Sequence, residues 1–268
     1  MFKHKLTISL IFLLSCTAQP GFTGAREDGL KAFKQGQYEL ALNYWVPLAE
    51  SGDREIQYNL GVMYSEGRGV EKDITQAIPW LTQAANQGDA DAQFRLGKLY
   101  TRGIDFEQDL TTAQQWIRKA ANNNHGAACY YLAQFYTHGK GLSKDSELAL
   151  RWYYRGAENN NTASQYNLGY IHEHGDGIPK DLPEAFRWYD KAAKNGAADA
   201  QANLGRFYAT GKGTTQDKVL AYVWFAMAAQ KNITNAKTNA RFTFKKLNQT
   251  DKQQALALFE EYKKKYLK

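Results

Sequence analysis

The chain has 268 residues, a formal net charge of +7 and two cysteines. A length of this size ordinarily suggests two domains. The basic balance is compatible with anionic partners but diagnoses none. The two cysteines, one of them Cys16, exclude an internal disulfide framework in the body of the chain.

The first residues read as a targeting segment. Lys3 and Lys5 form a positive n-region, and Leu6 to Leu14 is apolar but far too short to span a membrane. Leu13-Leu14-Ser15-Cys16 resembles a bacterial lipobox, in which Cys16 becomes the lipidated first residue, although leucine in its second place is less usual. The competing reading is ordinary cleavage after Ala18 or Ala25, with Cys16 discarded. Both readings export the protein, to the periplasm, to the outer membrane as a lipoprotein, or out of the cell. Residues 1–25 are therefore assigned to a leader.

Residues 26–53 come next, with Phe33, Gly36, Tyr38, Ala41, Trp45 and Gly52 spaced as a helix pair. The strongest signal follows. The six tryptophans stand at 45, 80, 116, 152, 188 and 224, and the last five are 36 residues apart. A fixed period of this size marks an array of supersecondary units and overrides the two-domain expectation, because such units contact only their neighbours and share one core. At this period Leu60, Leu96, Leu132, Leu168 and Leu204 align, followed by Gly61, Gly97, Ala133, Gly169 and Gly205. Columns of tyrosine (His172 in the fourth unit), glycine, aspartate and alanine align as well.

Each unit reads as two helices. Ala200, Leu204, Phe207 and Tyr208 sit at i, i+4, i+7 and i+8, one helical stripe. Gly-x-Gly stretches such as Gly139-Lys140-Gly141 break the first helix. Asp73, Asp109, Asp145, Asp181 and Asp217 then N-cap the second, with Asp181 to Glu184 arranged as a capping box. The second helix buries positions such as Ala185, Trp188, Ala192 and Ala193, and the tryptophans are expected between helices. Positions 52, 88, 124, 160, 196 and 232 hold only Gly or Asn, the residues that best tolerate the left-handed conformation after a helix end. Two departures stand out: Pro79 inside a second helix, expected to bend it, and Asp105 where other units have their second glycine.

This pattern resembles the Sel1-like repeat, a helix–loop–helix relative of the tetratricopeptide repeat. Leu168-Gly169, Gly175-Asp176-Gly177, Asp181, Ala185, Trp188-Tyr189, Ala192-Ala193 and Gly196 carry the resemblance in one unit. Five units cover 54–233, while 26–53 lacks the Gly-x-Gly loop and looks like a plain tetratricopeptide unit. The resemblance implies an all-α, right-handed superhelical solenoid and a binding role, without naming a partner. One branch of the family carries a cysteine pair in every repeat and is linked to penicillin binding. Here only Cys129 remains, in a column otherwise held by Gln57, Gln93, Gln165 and Gln201, so that activity does not transfer. Residues 234–268 read as capping helices. Ala236, Ala240 and Phe244 continue the first-helix stripe, and a last helix from about Asp251 has an apolar side and a Lys, Gln and Glu side. Lys263, Lys264, Lys265 and Lys268 read as its solvated end.

No catalytic motif is present. Gly205 to Lys212 superficially resembles a phosphate loop, but its glycine spacing is one residue too long. His172 and His174 lie at i and i+2 on a helix and point apart, so they do not chelate one ion, and His172 in the tyrosine column reads as packed and hydrogen-bonded. His125 and His138 have no partner cysteines. No cofactor, metal or nucleic-acid partner is expected, and the chain is expected to be a monomer.

The candidate contact residues lie on the first helices, which line the concave face in tetratricopeptide-like solenoids. One column gives Tyr58, Phe94, Tyr130 and Tyr166. Four residues on come Lys98, Gln134, Tyr170 and Arg206, which vary between units, and Tyr131 replaces the Asn59, Asn167 and Asn203 of other units. Tyr and Arg dominate binding hot spots. The expected function is therefore an exported scaffold or adaptor that binds a protein or peptide in its groove without turnover. The alternatives are a protein that binds envelope polymer such as peptidoglycan or polysaccharide, or modulates an enzyme acting on it, and a secreted factor that binds a host protein. For a convergent carboxylate pair the concave helices offer Glu173 and little else, which disfavours catalysis.

Overall fold

A computed structural model describes residues 22–103 and 107–266. Cys16, Asp105 and Lys268 lie outside the described residues. Within these, fourteen helices and no strand occur. The chain divides into two compact units, residues 1–83 and 84–268. The first holds α1 (Phe22–Lys34), α2 (Tyr38–Glu50), α3 (Arg54–Glu66) and most of α4 (Ile74–Asn86). The second holds α5 (Ala90–Arg102), α6 (Leu110–Asn122), α7 (Gly126–His138), α8 (Ser146–Glu158), α9 (Thr162–His174), α10 (Leu182–Lys194), α11 (Ala198–Thr210), α12 (Lys218–Ala229), α13 (Ala236–Lys245) and α14 (Gln249–Tyr266). Helix α1 opens at Phe22, inside the segment assigned to the leader. Helix α4 runs on past Pro79, which is exposed.

Helices α3 to α11 are each 13 residues long, because equivalent positions start and stop them. Asp109, Asp145, Asp181 and Asp217 each accept a bond from the N–H three residues on, as N-caps do. Each also donates its own N–H to the carbonyl nine residues back, as from Asp145 to Tyr136 at 3.0 Å and Asp217 to Tyr208 at 2.9 Å. The same use of the Asp181 N–H, on the His172 carbonyl at 2.9 Å, leaves no donor for the expected capping box. Glu184 instead pairs with Arg187 at 3.3 Å. First helices end on left-handed glycines such as Gly139 and Gly175. At the opposite turn Asn124, Asn160 and Asn232 take φ of 61°, 58° and 57°, matching the glycines of their column in sign.

In the second unit each helix packs on the next in sequence up to α12, which receives both α13 and α14. That double cover explains why α12 is apolar on nearly every side, with Val223 to Ala228 all buried. Inside each repeat the leucine column is fully buried, and the small residue beside it, glycine in four repeats and Ala133 in the third, makes room for the partner helix. A Cβ on Gly169 would stand 2.6 Å from a ring carbon of Tyr189, and one on Gly205 2.8 Å from Phe225. The residues that meet these glycines, Leu81, Ile117, Tyr189 and Phe225, each follow a tryptophan.

The tryptophans themselves divide. Trp188 and Trp224 are buried, as is Trp45. Trp116 and Trp152 are only half-buried, which corrects the expectation that they are inter-helix core. Each stands one position before a buried core residue, Ile117 or Tyr153, and so about 100° round the helix from it. Lys119 Nζ stands 4.1 Å from the Trp116 ring centre, and the Arg155 guanidinium 5.3 Å from that of Trp152.

The glutamine column joins successive repeats. Gln57, Gln93, Gln165 and Gln201 are buried, and each Nε2 donates to the carbonyl eight residues back, at the end of the preceding helix. This satisfies an orphan helix-end carbonyl from across a repeat boundary. Asn123 and Asn195 reach back to Gln93 and Gln165 Oε1 at 3.0 and 2.9 Å. Cys129 substitutes a thiol, with Sγ 3.7 Å from the Ala121 carbonyl.

Candidate binding surface

Helices α5, α7, α9 and α11 present the two variable columns of the second unit. Every member is partly exposed, because the leucine and glycine positions take the buried face. Tyr58 is half-buried on α3 and belongs to the first unit.

Phe94, Tyr130 and Tyr131 form one aromatic group. Phe94 meets Tyr131 edge-on with ring centres 5.2 Å apart, and Tyr130 meets Tyr131 at 5.9 Å. Lys98 Nζ lies 5.7 Å from the Phe94 ring centre. His125 packs on Phe94 at 4.5 Å while capping α7, its Nδ1 accepting from the Ala128 N–H at 3.0 Å. That bond places the ring proton on Nε2, facing Asp91 Oδ1 at 3.1 Å. Burial raises the Tyr130 and Tyr153 hydroxyls above the ordinary phenol range, so both stay neutral donors at physiological pH.

Gln134 and Tyr170 line a mixed pocket of about 310 Å³ together with Thr137, Tyr153, Asn167 and Asp176, with Leu150 and Ile171 on its apolar side. Gln134 Nε2 donates to the Tyr153 hydroxyl at 2.6 Å. Tyr170 is 44% exposed and stacks on His174 at 4.1 Å. The pocket therefore offers hydroxyl, amide and carboxylate groups beside one exposed ring.

Tyr166 and Arg206 belong to a third group. The Arg206 guanidinium lies 2.7 and 2.8 Å from the two oxygens of Glu173, which is buried. The Tyr189 hydroxyl donates to the same carboxylate at 3.0 Å. Burial, then the Glu173 charge, push the Tyr189 hydroxyl well above its usual range. Tyr166 lies 5.8 Å from Tyr189, ring to ring. Arg206 is thus committed to an internal partner, unlike the free side chain that its variable column suggests. His172 is buried with Nε2 2.6 Å from the Tyr154 hydroxyl, the packed histidine expected. Among the described residues, no group of three His, Cys, Asp or Glu side chains converges as metal ligands.

Tyr153 and Thr137 escaped the sequence reading, and Asn167 entered it only as a member of the column in which Tyr131 differs. The residues following the tryptophans include only two tyrosines, Tyr153 and Tyr189, and both place a hydroxyl among first-helix side chains. Reading that column would have found them.

The Sel1 repeat model matches residues 55–89, 90–125, 126–161, 162–196 and 198–233. Among solved structures, a Sel1 repeat protein from Oxalobacter formigenes is 31% identical with a TM-score of 0.74, covering 88% of this chain and 98% of its own. The protein c5321, a protective antigen present in uropathogenic Escherichia coli strains, is 30% identical with a TM-score of 0.55. That match covers 92% of this chain but 62% of c5321. The immunity protein Pa5087 from Pseudomonas aeruginosa, at 18% identity and a TM-score of 0.50 over 79% of this chain and 82% of its own, shares the fold alone. No curated protein matches the chain.

Proposed function

Because this chain belongs to the Sel1 repeat family, whose repeats generally mediate protein–protein interaction, we propose that it is an exported scaffold that binds a peptide segment of a partner along α5, α7, α9 and α11. The observation that carries this reading is the pocket under Tyr170. An exposed aromatic ring stands beside amide and hydroxyl groups that internal hydrogen bonds hold in place on a helical frame. Rigid aromatics give contact area at little entropic cost, and buried hydrogen-bonding groups around them give selectivity. Phe94, Tyr130 and Tyr131 extend the apolar part of the surface, and Lys98 adds a cation at its edge.

The partner is a protein rather than a substrate. Glu173, the carboxylate weighed for catalysis, already has both oxygens engaged by Arg206 and Tyr189. Export rests on Lys3, Lys5, the apolar run and Cys16, and similarity to a protective antigen supports it. Mass spectrometry of the mature amino terminus separates an acylated Cys16 from a chain starting at Gln19 or Arg26.

The test of the surface is capture from envelope fractions with a photo-crosslinking residue in place of Tyr170, compared with one in place of Arg151 on α8. A protein crosslinked only from position 170, and lost on Gln134→Ala with unchanged melting, supports the reading. Equal capture from both positions refutes it.

A further inference from the structure

The positive charge of the chain is gathered at one end. Between residues 231 and 266 there are nine Lys and Arg against three Asp and Glu, so six of the seven net charges lie there. Helix α13 concentrates them. It contains Lys237, Arg241 and Lys245, spaced i, i+4, i+8 along one exposed stripe, and no acid. None of the three is in an ion pair among the described residues. Like charges four apart on a helix repel, and nothing on α13 offsets the repulsion.

The opposite face of α13 is spent on packing. Ala236, Ala240 and Thr243 are buried, and α12 is the helix beneath. The cationic stripe therefore faces solvent. Beside it stands Phe242, the most exposed large apolar residue described, at 59%. Lys246 Nζ sits 4.0 Å from its ring centre, and Lys252 from α14 approaches the neighbouring Phe244 ring at 5.8 Å. A shallow cavity of about 290 Å³ opens at the same place. Its floor includes Tyr222, Ala226 and Phe259, and Lys237 and Arg241 stand at its rim.

We propose that α13 docks the capping end of the protein on an anionic phospholipid surface, with the Lys237, Arg241 and Lys245 stripe over the headgroups and Phe242 inserted among them. Charge complementarity selects the anion, and the form of the surface selects a bilayer over an acidic polypeptide. The cations sit on long, exposed side chains, and beyond the first turn the backbone donors of α13 are used within the helix. Such a surface supplies a positive field and one apolar wedge but no fixed hydrogen-bond geometry, and a fluid headgroup layer requires nothing more. No described helix is long and apolar enough to cross a membrane, so the contact is peripheral.

Vesicle sedimentation tests this, using the full chain with Cys16→Ser so that no acyl group contributes. The probes are phosphatidylcholine vesicles with and without phosphatidylglycerol. The expected result is binding that requires phosphatidylglycerol and falls with added salt. Each cation at an anionic surface contributes roughly fivefold, so Lys237→Gln/Arg241→Gln/Lys245→Gln should weaken partitioning about a hundredfold. Phe242→Ser should weaken it while leaving the salt dependence. Should the triple variant misfold, Arg241→Gln alone carries the test through its roughly fivefold loss. Equal binding to both vesicle types, or binding indifferent to these variants, overturns the proposal. Binding to polyglutamate through the same residues without binding to vesicles overturns it in favour of an acidic polypeptide.

Discussion

Replacing Arg206 with alanine tests the internal carboxylate site most directly. The column to which Arg206 belongs suggests a surface residue, for which the expected change is within about 0.5 kcal/mol. The structure argues for more. Arg206 is the charge partner of Glu173, whose side chain is 11% exposed, and its removal leaves the carboxylate held by the Tyr189 hydroxyl. Stripping one partner from a fully buried pair costs roughly 3–5 kcal/mol. The Arg206 side chain is 43% exposed, so water re-enters when it is removed and the cost falls to about 1–2 kcal/mol. For a chain of this size that lowers the melting temperature by roughly 3–6 °C. The assay is thermal and urea denaturation of Arg206→Ala, Glu173→Gln and the double variant. Glu173→Gln keeps an acceptor for Tyr189 without the charge, so the cycle should show a coupling of about 1 kcal/mol. An Arg206→Ala protein that melts with the wild type, and a cycle without coupling, would refute the pair as a structural element.

Four other outcomes follow from the geometry. Asn124→Gly and Asn160→Gly should be neutral or stabilising, and valine at either position should cost roughly 1 kcal/mol or more, since both sites hold positive φ; a melting curve unchanged by valine refutes this. Trp188→Ala should cost about 3–5 kcal/mol by urea denaturation, and Trp116→Ala clearly less, because Trp116 is only half-buried, with Lys119 over its ring; equal losses contradict that division. Gly169→Ala should destabilise by about 1 kcal/mol despite the better helix propensity of alanine, because the new methyl meets the buried Tyr189 ring; a rise in melting temperature contradicts the close approach. Burial raises the Cys129 thiol above its usual range, so it should resist alkylating reagents at neutral pH until the chain unfolds; prompt labelling of the native protein contradicts it.

What was legible in the sequence was whatever the backbone demands of every unit. The left-handed Asn and Gly column, the aspartate caps and the leucine–glycine contact each answer to one geometric requirement, met again every 36 residues. The depth of the tryptophans was not legible in the same way. Periodicity locates a face to within one residue, and neighbouring residues differ by about 100° round the helix, so Trp116 and Ile117 look equally suited to the core. The Glu173–Arg206 pair was hidden for another reason. Its two ends lie 33 residues apart, so no alignment by whole repeats sets them side by side. The period does put Arg206 level with Tyr170, and Glu173 lies one helical turn beyond Tyr170 on α9. Lateral neighbours one turn out of register, rather than columns, hold that information.

The glutamine ladder has a mechanical consequence. Along an array whose members touch only their neighbours, cooperativity is transmitted by the joints, and the array yields first where a joint is weakest. Between α6 and α7 the amide that ties other joints is replaced by the Cys129 sulfur, a poor donor at 3.7 Å. Strain from either side should therefore be relieved at this boundary, letting the repeats on each side unfold as separate blocks. The residue that loosens the joint is also the one that becomes chemically visible when it opens, so the protein carries its own reporter of unzipping.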